Sequence, residues 1–461
     1  MGVVALAAFT VILVWPEASP EAVRRAGELG AGVLIVPAAE RAPAAPKGLD
    51  VLAATAAERT AIQAARRAGF HGVMIRAPES ESALRALLQE FGAWIRIVSL
   101  APAQAHWDTS PAQAAVRAGQ WPGLAAVESE AGATEQPWIN ANLHYYAWLE
   151  GFYPQRAPLL DYEPPAASME YEGAEIALAE AWAFGGPAML RLPPVYHEAL
   201  AKADARATAA WARLREVAAF LKGLGGGPRQ AASTLAVLVP AWDEEFEEIL
   251  NLAWRQQLSP RAIPTAQFAP PRGLRLAAVA NHTPDAEAQQ RLRAFAAAGG
   301  QVLVAPPPGE TAVRWWGQGA SLGKEGGVET FRVGRGTVRV MDEPALDPFL
   351  FALDLREHLG MDNPSGRGLH GLDVRLWYSS TVLPALRRQS DGGLMLVLIG
   401  YGRWIDHEFL VGARGQFRAA RLLGPRAAAA PLKLMQRSGR VEWDQPGLRR
   451  IAVITLEEAV R

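Results

Sequence analysis

The sequence predicts an α/β protein: a (β/α)8 barrel over residues 1–225, a second α/β unit over 232–365, and a small β-sandwich over 369–461. Three observations carry this. Near-continuous apolar runs alternate with helical patterns through the first part, as in a parallel sheet covered on both faces. The stretch "GLGGGPRQ" at 223–230 interrupts the alternation as a linker, and a strand–helix pattern then resumes. The C-terminal part changes to short strands bounded by Gly, Pro and Asp, the mark of an antiparallel sandwich.

In the first unit, strands are expected at 3–15, 31–38, 49–55, 70–77, 94–101, 123–129, 157–164 and 187–194. Helices are expected at 20–29, 57–68, 80–91, 111–118, 137–149 and 173–184, with a long one at 197–223. Eight strands of this kind point to a (β/α)8 barrel. The opening run "VVALAAFTVILVW" resembles the apolar part of a signal peptide, but no Lys or Arg precedes it. It is short for a membrane span. A buried strand leading into Ser19-Pro20-Glu21, a helix start, fits better.

The second unit reads as strand 233–242, helix 243–257, strand 274–281, helix 284–298 and strand 301–307, then a hairpin at 329–341 and a helix. Phe246, Leu250 and Trp254 recur every four residues on helix 243–257, a buried stripe against the first unit or another subunit.

Composition narrows the function. Lys plus Arg (46) nearly balance Asp plus Glu (47), a net charge of -1. That argues against nucleic-acid and anionic-membrane partners, which need a basic surface. The absence of cysteine excludes disulfides, Cys-ligated metal centres and a cysteine nucleophile. The eight His show no zinc-site spacing, so no metal is expected. Neither "GLGGGP" nor "GASLGKEGG" has phosphate-loop spacing, and no cofactor is expected. The compartment stays open between cytoplasm and periplasm or secretion.

The order of parts, with "GAEIALAEAWAFGGPAML", "TPDAEAQQRLRAFAAAGGQVLVA" and "GRGTVRVM" leading to "LMLVLIGYG … LLGP … IAVITLEE", resembles the family 42 β-galactosidases and their uncharacterised relatives. The resemblance implies a flavodoxin-like, trimerisation-type second domain, a homo-oligomer (trimer or dimer) and a carbohydrate partner. It also implies two catalytic carboxylates. The family's acid/base Glu follows an Asn at the end of strand 4. Here that strand ends "MIRAPES", with Arg76 and no Asn-Glu pair. The family's nucleophile ends strand 7, where Glu163 stands.

The candidate acids come in pairs. "LLDYEP" ends its strand with Asp161 and Glu163 on one face, and "AAVESEAG" places Glu128 and Glu130 likewise. In parallel barrels, ligands bind at the C-terminal ends of strands. Glycoside hydrolysis needs two carboxyl groups about 5–5.5 Å apart for retention or ~6.5–9.5 Å for inversion. Glu163 and Glu128 are the expected catalytic pair. Asp161, Glu130, Arg76, Trp15, Trp107 and Trp138 are expected to bind substrate, the tryptophans by lying against sugar faces. The competing reading pairs these acids with Arg76 or Arg191, in a barrel that binds carbohydrate or scaffolds an assembly without catalysis.

Overall fold

A computed structural model describes residues 9–124, 139–167, 170–228, 230–317, 319–359, 372–389, 392–403, 407–437 and 439–459. The chain is mixed α/β, and its first sheet is parallel throughout. That sheet contains β1 (Val11–Val14), β2 (Val33–Pro37), β3 (Asp50–Thr55), β4 (Gly72–Arg76), β5 (Ile95–Leu100), β6 (Gln113–Val116) and β7 (Ala188–Arg191). Its order is β6-β5-β4-β3-β2-β1-β7. Beyond β6 the segment around Leu160 adds one parallel bridge to Val116, held by Val116 N to Leu159 O (2.9 Å) and Asp161 N to Val116 O (2.8 Å). The sheet is therefore curled and barrel-like.

Strand alternation sends every second side chain into the curl. Ile12, Ile35, Leu52, Met74, Ile97, Ala115, Leu159 and Met189 meet there in one buried cluster, with Val14. The opposite faces pack under α1 (Pro20–Leu29), α2 (Arg59–Arg67), α3 (Glu81–Phe91), α4 (Leu143–Phe152), α5 (Gly173–Ala183), α6 (Pro194–Ala201) and α7 (Ala205–Gly223). Helix starts follow local chemistry. The Ser19 hydroxyl accepts from Ala22 N, and Pro20 opens α1 where its missing N–H costs nothing.

Two expectations need correction. Residues 111–118 do not form a helix: β6 occupies that stretch and fills the sixth position of the curl. Pro111 ahead of an alanine-rich run mimics a helix start. Pairing to β5 and burial of Ala115 and Val116 override that weak local preference. The strand expected at 123–129 is not needed there, and residues 125–129 lie outside the described ones. The single helix expected at 197–223 is two, α6 and α7. Ala203 turns the chain at φ 53° and the Asp204 carboxylate caps α7 at Ala207 N (2.8 Å).

After β8 (Gln230–Ala231), a second sheet contains β9 (Leu235–Val239), β10 (Arg261–Pro264), β11 (Leu276–Val279), β12 (Gln301–Val304), β13 (Ala320–Glu325), β14 (Val328–Val333) and β15 (Gly336–Met341). Its order is β10-β9-β11-β12-β15-β14-β13, with the first five strands parallel and the last two antiparallel. Helices α8 (Glu244–Arg255), α9 (Ala286–Ala297) and α10 (Pro348–His358) accompany it. Phe246, Leu250 and Trp254 are buried within the chain, and Trp254 meets Phe184 at 5.8 Å, so this stripe faces the first unit.

The C-terminal part forms two antiparallel sheets. One holds β16 (Val374–Trp377), β19 (Phe409–Arg414), β22 (Met435–Arg437) and β23 (Arg440–Gln445). The other holds β8, β17 (Val382–Arg388), β18 (Leu394–Gly400), β20 (Phe417–Gly424), β21 (Ala427–Pro431) and β24 (Ile451–Glu458). Side chains of both sheets share one core, which includes Leu376, Leu396, Val411, Trp443 and Ile454.

These parts are tied together through α4 and α5. Gly151 lets α4 approach β10 so closely that a Cβ there would sit 1.8 Å from Ala262 O. Trp148 stacks on Trp242 at 4.4 Å. Arg387 of β17, almost fully buried, gives both terminal nitrogens to Glu150 of α4 (2.8 and 2.9 Å) and lies over the Phe184 ring.

Candidate functional site at the mouth of the parallel sheet

The interior cluster of the curl defines what lies above it. Two residues further along a strand the side chain returns to the same side, one layer closer to the C-terminal end. From Met74, Ile97, Ala115, Leu159 and Met189 that step leads to Arg76, Ser99, Arg117, Asp161 and Arg191. Five consecutive positions around the curl thus change from apolar to polar within one layer. Four of these residues, with Ala118, Gly119, Tyr162 and Glu163, line a cavity of about 180 Å3.

Asp161 organises this layer. It is buried, accepts the Ser99 hydroxyl at 2.6 Å and pairs with Arg191 Nη2 at 2.9 Å. The Arg191 pair spans the place where Leu160's segment and β7 face each other with no backbone pairing among the described residues. Arg117 donates Nη1 to Ser99 O at 2.9 Å. Burial, and next the charge of Arg76, hold its guanidinium below the usual arginine range. Glu163 is exposed at the rim, with no ion pair or hydrogen bond among the described residues.

The remaining expected site residues are placed as follows. Glu128, Glu130 and Trp138 lie outside the described residues. The sixth strand position, from which Glu128 and Glu130 were expected to project, ends instead at Val116, ahead of Arg117. Trp15 is buried on the helix-covered side of the sheet, edge-on to His197 at 4.3 Å and near Trp211. Trp107 is partly buried against the core, and its carbonyl accepts from Arg156 at 2.7 Å. Neither lines the cavity. Arg117 and Ser99 are functional candidates that the sequence reading omits. The two-residue step from the interior layer reaches Ser99 on the expected strand 94–101, and reaches Arg117 only once 113–116 is a strand.

Chemically, the mouth is a cluster of cations around a committed acid. Among the described residues no group of His, Asp and Glu is arranged to hold a metal ion.

No protein-family model matches the sequence, and no curated protein matches it. Solved structures do match. An α-L-fucosidase isoenzyme 2 from Paenibacillus thiaminolyticus superposes with a TM-score of 0.58 at 9% identity, over 98% of this chain and 100% of that one. The fold is glycoside-hydrolase-like. A β-galactosidase from Rahnella sp. R3 superposes with a TM-score of 0.57 at 10% identity, over 98% and 99% of the two chains. At such identities the likeness concerns the fold, and the resemblance to family 42 in particular gains nothing from it.

Proposed function

We propose that this protein binds a saccharide at the mouth of its parallel sheet and does not hydrolyse it. In this reading the sheet is a (β/α)8 barrel whose seventh strand is reduced to the bridge at Leu160. The second unit is a flavodoxin-like module, since its parallel strands run 2-1-3-4-5. The two C-terminal sheets are a β-sandwich. The observation that carries the proposal is the state of Asp161. It lies at a strand end on a glycoside-hydrolase-like fold, yet it is buried and spent on Arg191 and Ser99. Arg76, not a Glu, ends the fourth strand. The pairing of Asp161 with Arg191, together with Arg76 in place of an acid at the end of the fourth strand, supports the reading of a retired site.

One observation favours a second reading, a two-carboxylate glycoside hydrolase. Glu163 is exposed, unpaired among the described residues and part of the cavity wall. A screen of chromogenic aryl glycosides separates the two. The proposal expects no release of the aryl alcohol above the buffer rate. Turnover that Glu163→Gln reduces by orders of magnitude would establish the hydrolase instead.

We also propose self-association, as a trimer or dimer, through the second unit. It is supported by that unit's resemblance to a trimerisation-type domain and by the exposed Leu346, just ahead of α10, and Leu350 in its first turn. Light scattering should give a multiple of 49.5 kDa, and the mass of a single chain would end the idea.

A further inference from the structure

Among the described residues the mouth carries more positive than negative groups. Three guanidinium groups, those of Arg76, Arg117 and Arg191, line one cavity with two carboxylates, Asp161 and Glu163. Their pairing is uneven. Arg191 is matched by Asp161. Among the described residues Arg117 bonds only to Ser99, through the backbone oxygen at 2.9 Å and the hydroxyl at 3.5 Å. Arg76 has no carboxylate within 4 Å among the described residues, and Glu163 pairs with none of the three. Among the described residues two cations therefore face the same space without an ion pair of their own: Arg76 disfavours the charge on Arg117, and Asp161, already paired with Arg191, only partly offsets this.

Such an arrangement is unfavourable when empty. Like charges repel, and Arg117 is partly removed from water. Structural arginines are normally placed beside acids. Here the buried acid holds one arginine, and its Ser99 partner orients a second, which lines the cavity and whose other N–H groups have no partner among the described residues. Arginine's planar fork matches a carboxylate, sulfate or phosphate through two parallel bonds. The cavity, about 180 Å3, is smaller than the roughly 300–1,000 Å3 of pockets that enclose drug-sized ligands. It has room for one small group and not for a chain.

We infer that Arg76 and Arg117 form an oxyanion-binding subsite, and that the saccharide bound at the mouth is acidic, a hexuronate whose carboxylate lies between the two guanidinium groups. This rests on the saccharide-binding reading above and specifies its ligand. Glu163 at the rim then accepts from sugar hydroxyls, which suits a hydroxylated ligand better than a bare inorganic anion.

The test is calorimetric titration of the full chain at low ionic strength with galacturonate, galactose, glucuronate, glucose and inorganic phosphate. At least one hexuronate should bind ten-fold or more tightly than its neutral counterpart. Arg76→Gln and Arg117→Gln should each remove most of that difference, weakening hexuronate binding at least ten-fold more than neutral-sugar binding. Arg76 is exposed, so its variant should keep the wild-type thermal midpoint and serves if Arg117→Gln misfolds. Equal affinity for acidic and neutral hexoses would overturn the acidic subsite while leaving saccharide binding intact. Phosphate binding that responds to both variants, with no sugar bound, would overturn the hexuronate and the saccharide reading together. No binding by any probe would do the same.

Discussion

Replacing Glu150 with Ala should destabilise the protein by about 3–5 kcal/mol, because it leaves a buried guanidinium without its counter-charge. The side chain of Arg387 is 2% exposed, and its only carboxylate partner among the described residues is Glu150. Glu150 also accepts Ala231 N at 3.2 Å, so the same carboxylate fixes the chain where it leaves the first unit. A surface ion pair is worth no more than about 1 kcal/mol, which sets the contrast. The measurement is the urea midpoint of the transition that includes the C-terminal sheets, with the exposed pair Arg418–Glu457 as control. Glu457→Ala should move that midpoint little. Equal small shifts for the two variants would show that the Glu150–Arg387 pair does not hold the units together.

The contribution of Glu180 to stability should fall as pH rises from about 4.5 to about 7, read as the difference between the wild type and Glu180→Gln. The Glu180 carboxyl is fully buried on α5, and burial pushes it up from 4.5 to about 7. Three hydrogen bonds oppose this without cancelling it: Asn142 N (2.9 Å), Asn142 Nδ2 (3.0 Å) and the Tyr401 hydroxyl (2.7 Å). Below pH 4.5 both the folded and the unfolded chain hold this proton, and the full contribution to stability is present. Between 4.5 and 7 only the folded chain holds it, so stability is lost with each step in pH. Above 7 the loss is complete, on the order of 3 kcal/mol. Glu180→Gln removes the ionisation. Its amide faces Asn142 Nδ2 donor to donor, losing one hydrogen bond, about 1 kcal/mol. The variant should therefore be the less stable at pH 4.5 and the more stable at pH 7.5. Stability profiles that run parallel across this range would contradict the assignment.

The sequence shows most of the first sheet because its strands are buried on both faces. Such strands read as unbroken apolar runs, as in "VLIV" and "VMI". It hides β6, four residues with a proline and alanines before them, whose strand character comes from β5 and not from its own residues. It hides β13 for the opposite reason: every residue of Ala320–Glu325 is exposed, and only pairing with β14 makes it a strand. Arg76, Asp161 and Glu163 were legible at the site because they end apolar runs. The position of Asp161 one layer deeper than Glu163 follows from alternation alone. Arg117 was hidden by the misreading of β6. The partnership of Asp161 with Arg191 depends on how the curl brings Leu160's segment to β7, which no local pattern encodes.

We propose the cavity between Arg76 and Arg191 as the place where a saccharide binds. The most direct measurement is a glycan array, probed with the wild-type chain and with Ala118→Trp, which fills the cavity from its own wall. Wild type should retain a defined set of glycans, and Ala118→Trp should lose them while keeping the wild-type thermal midpoint. Glycans bound equally by both proteins would place the site elsewhere. No glycan bound by the wild type would contradict the account itself.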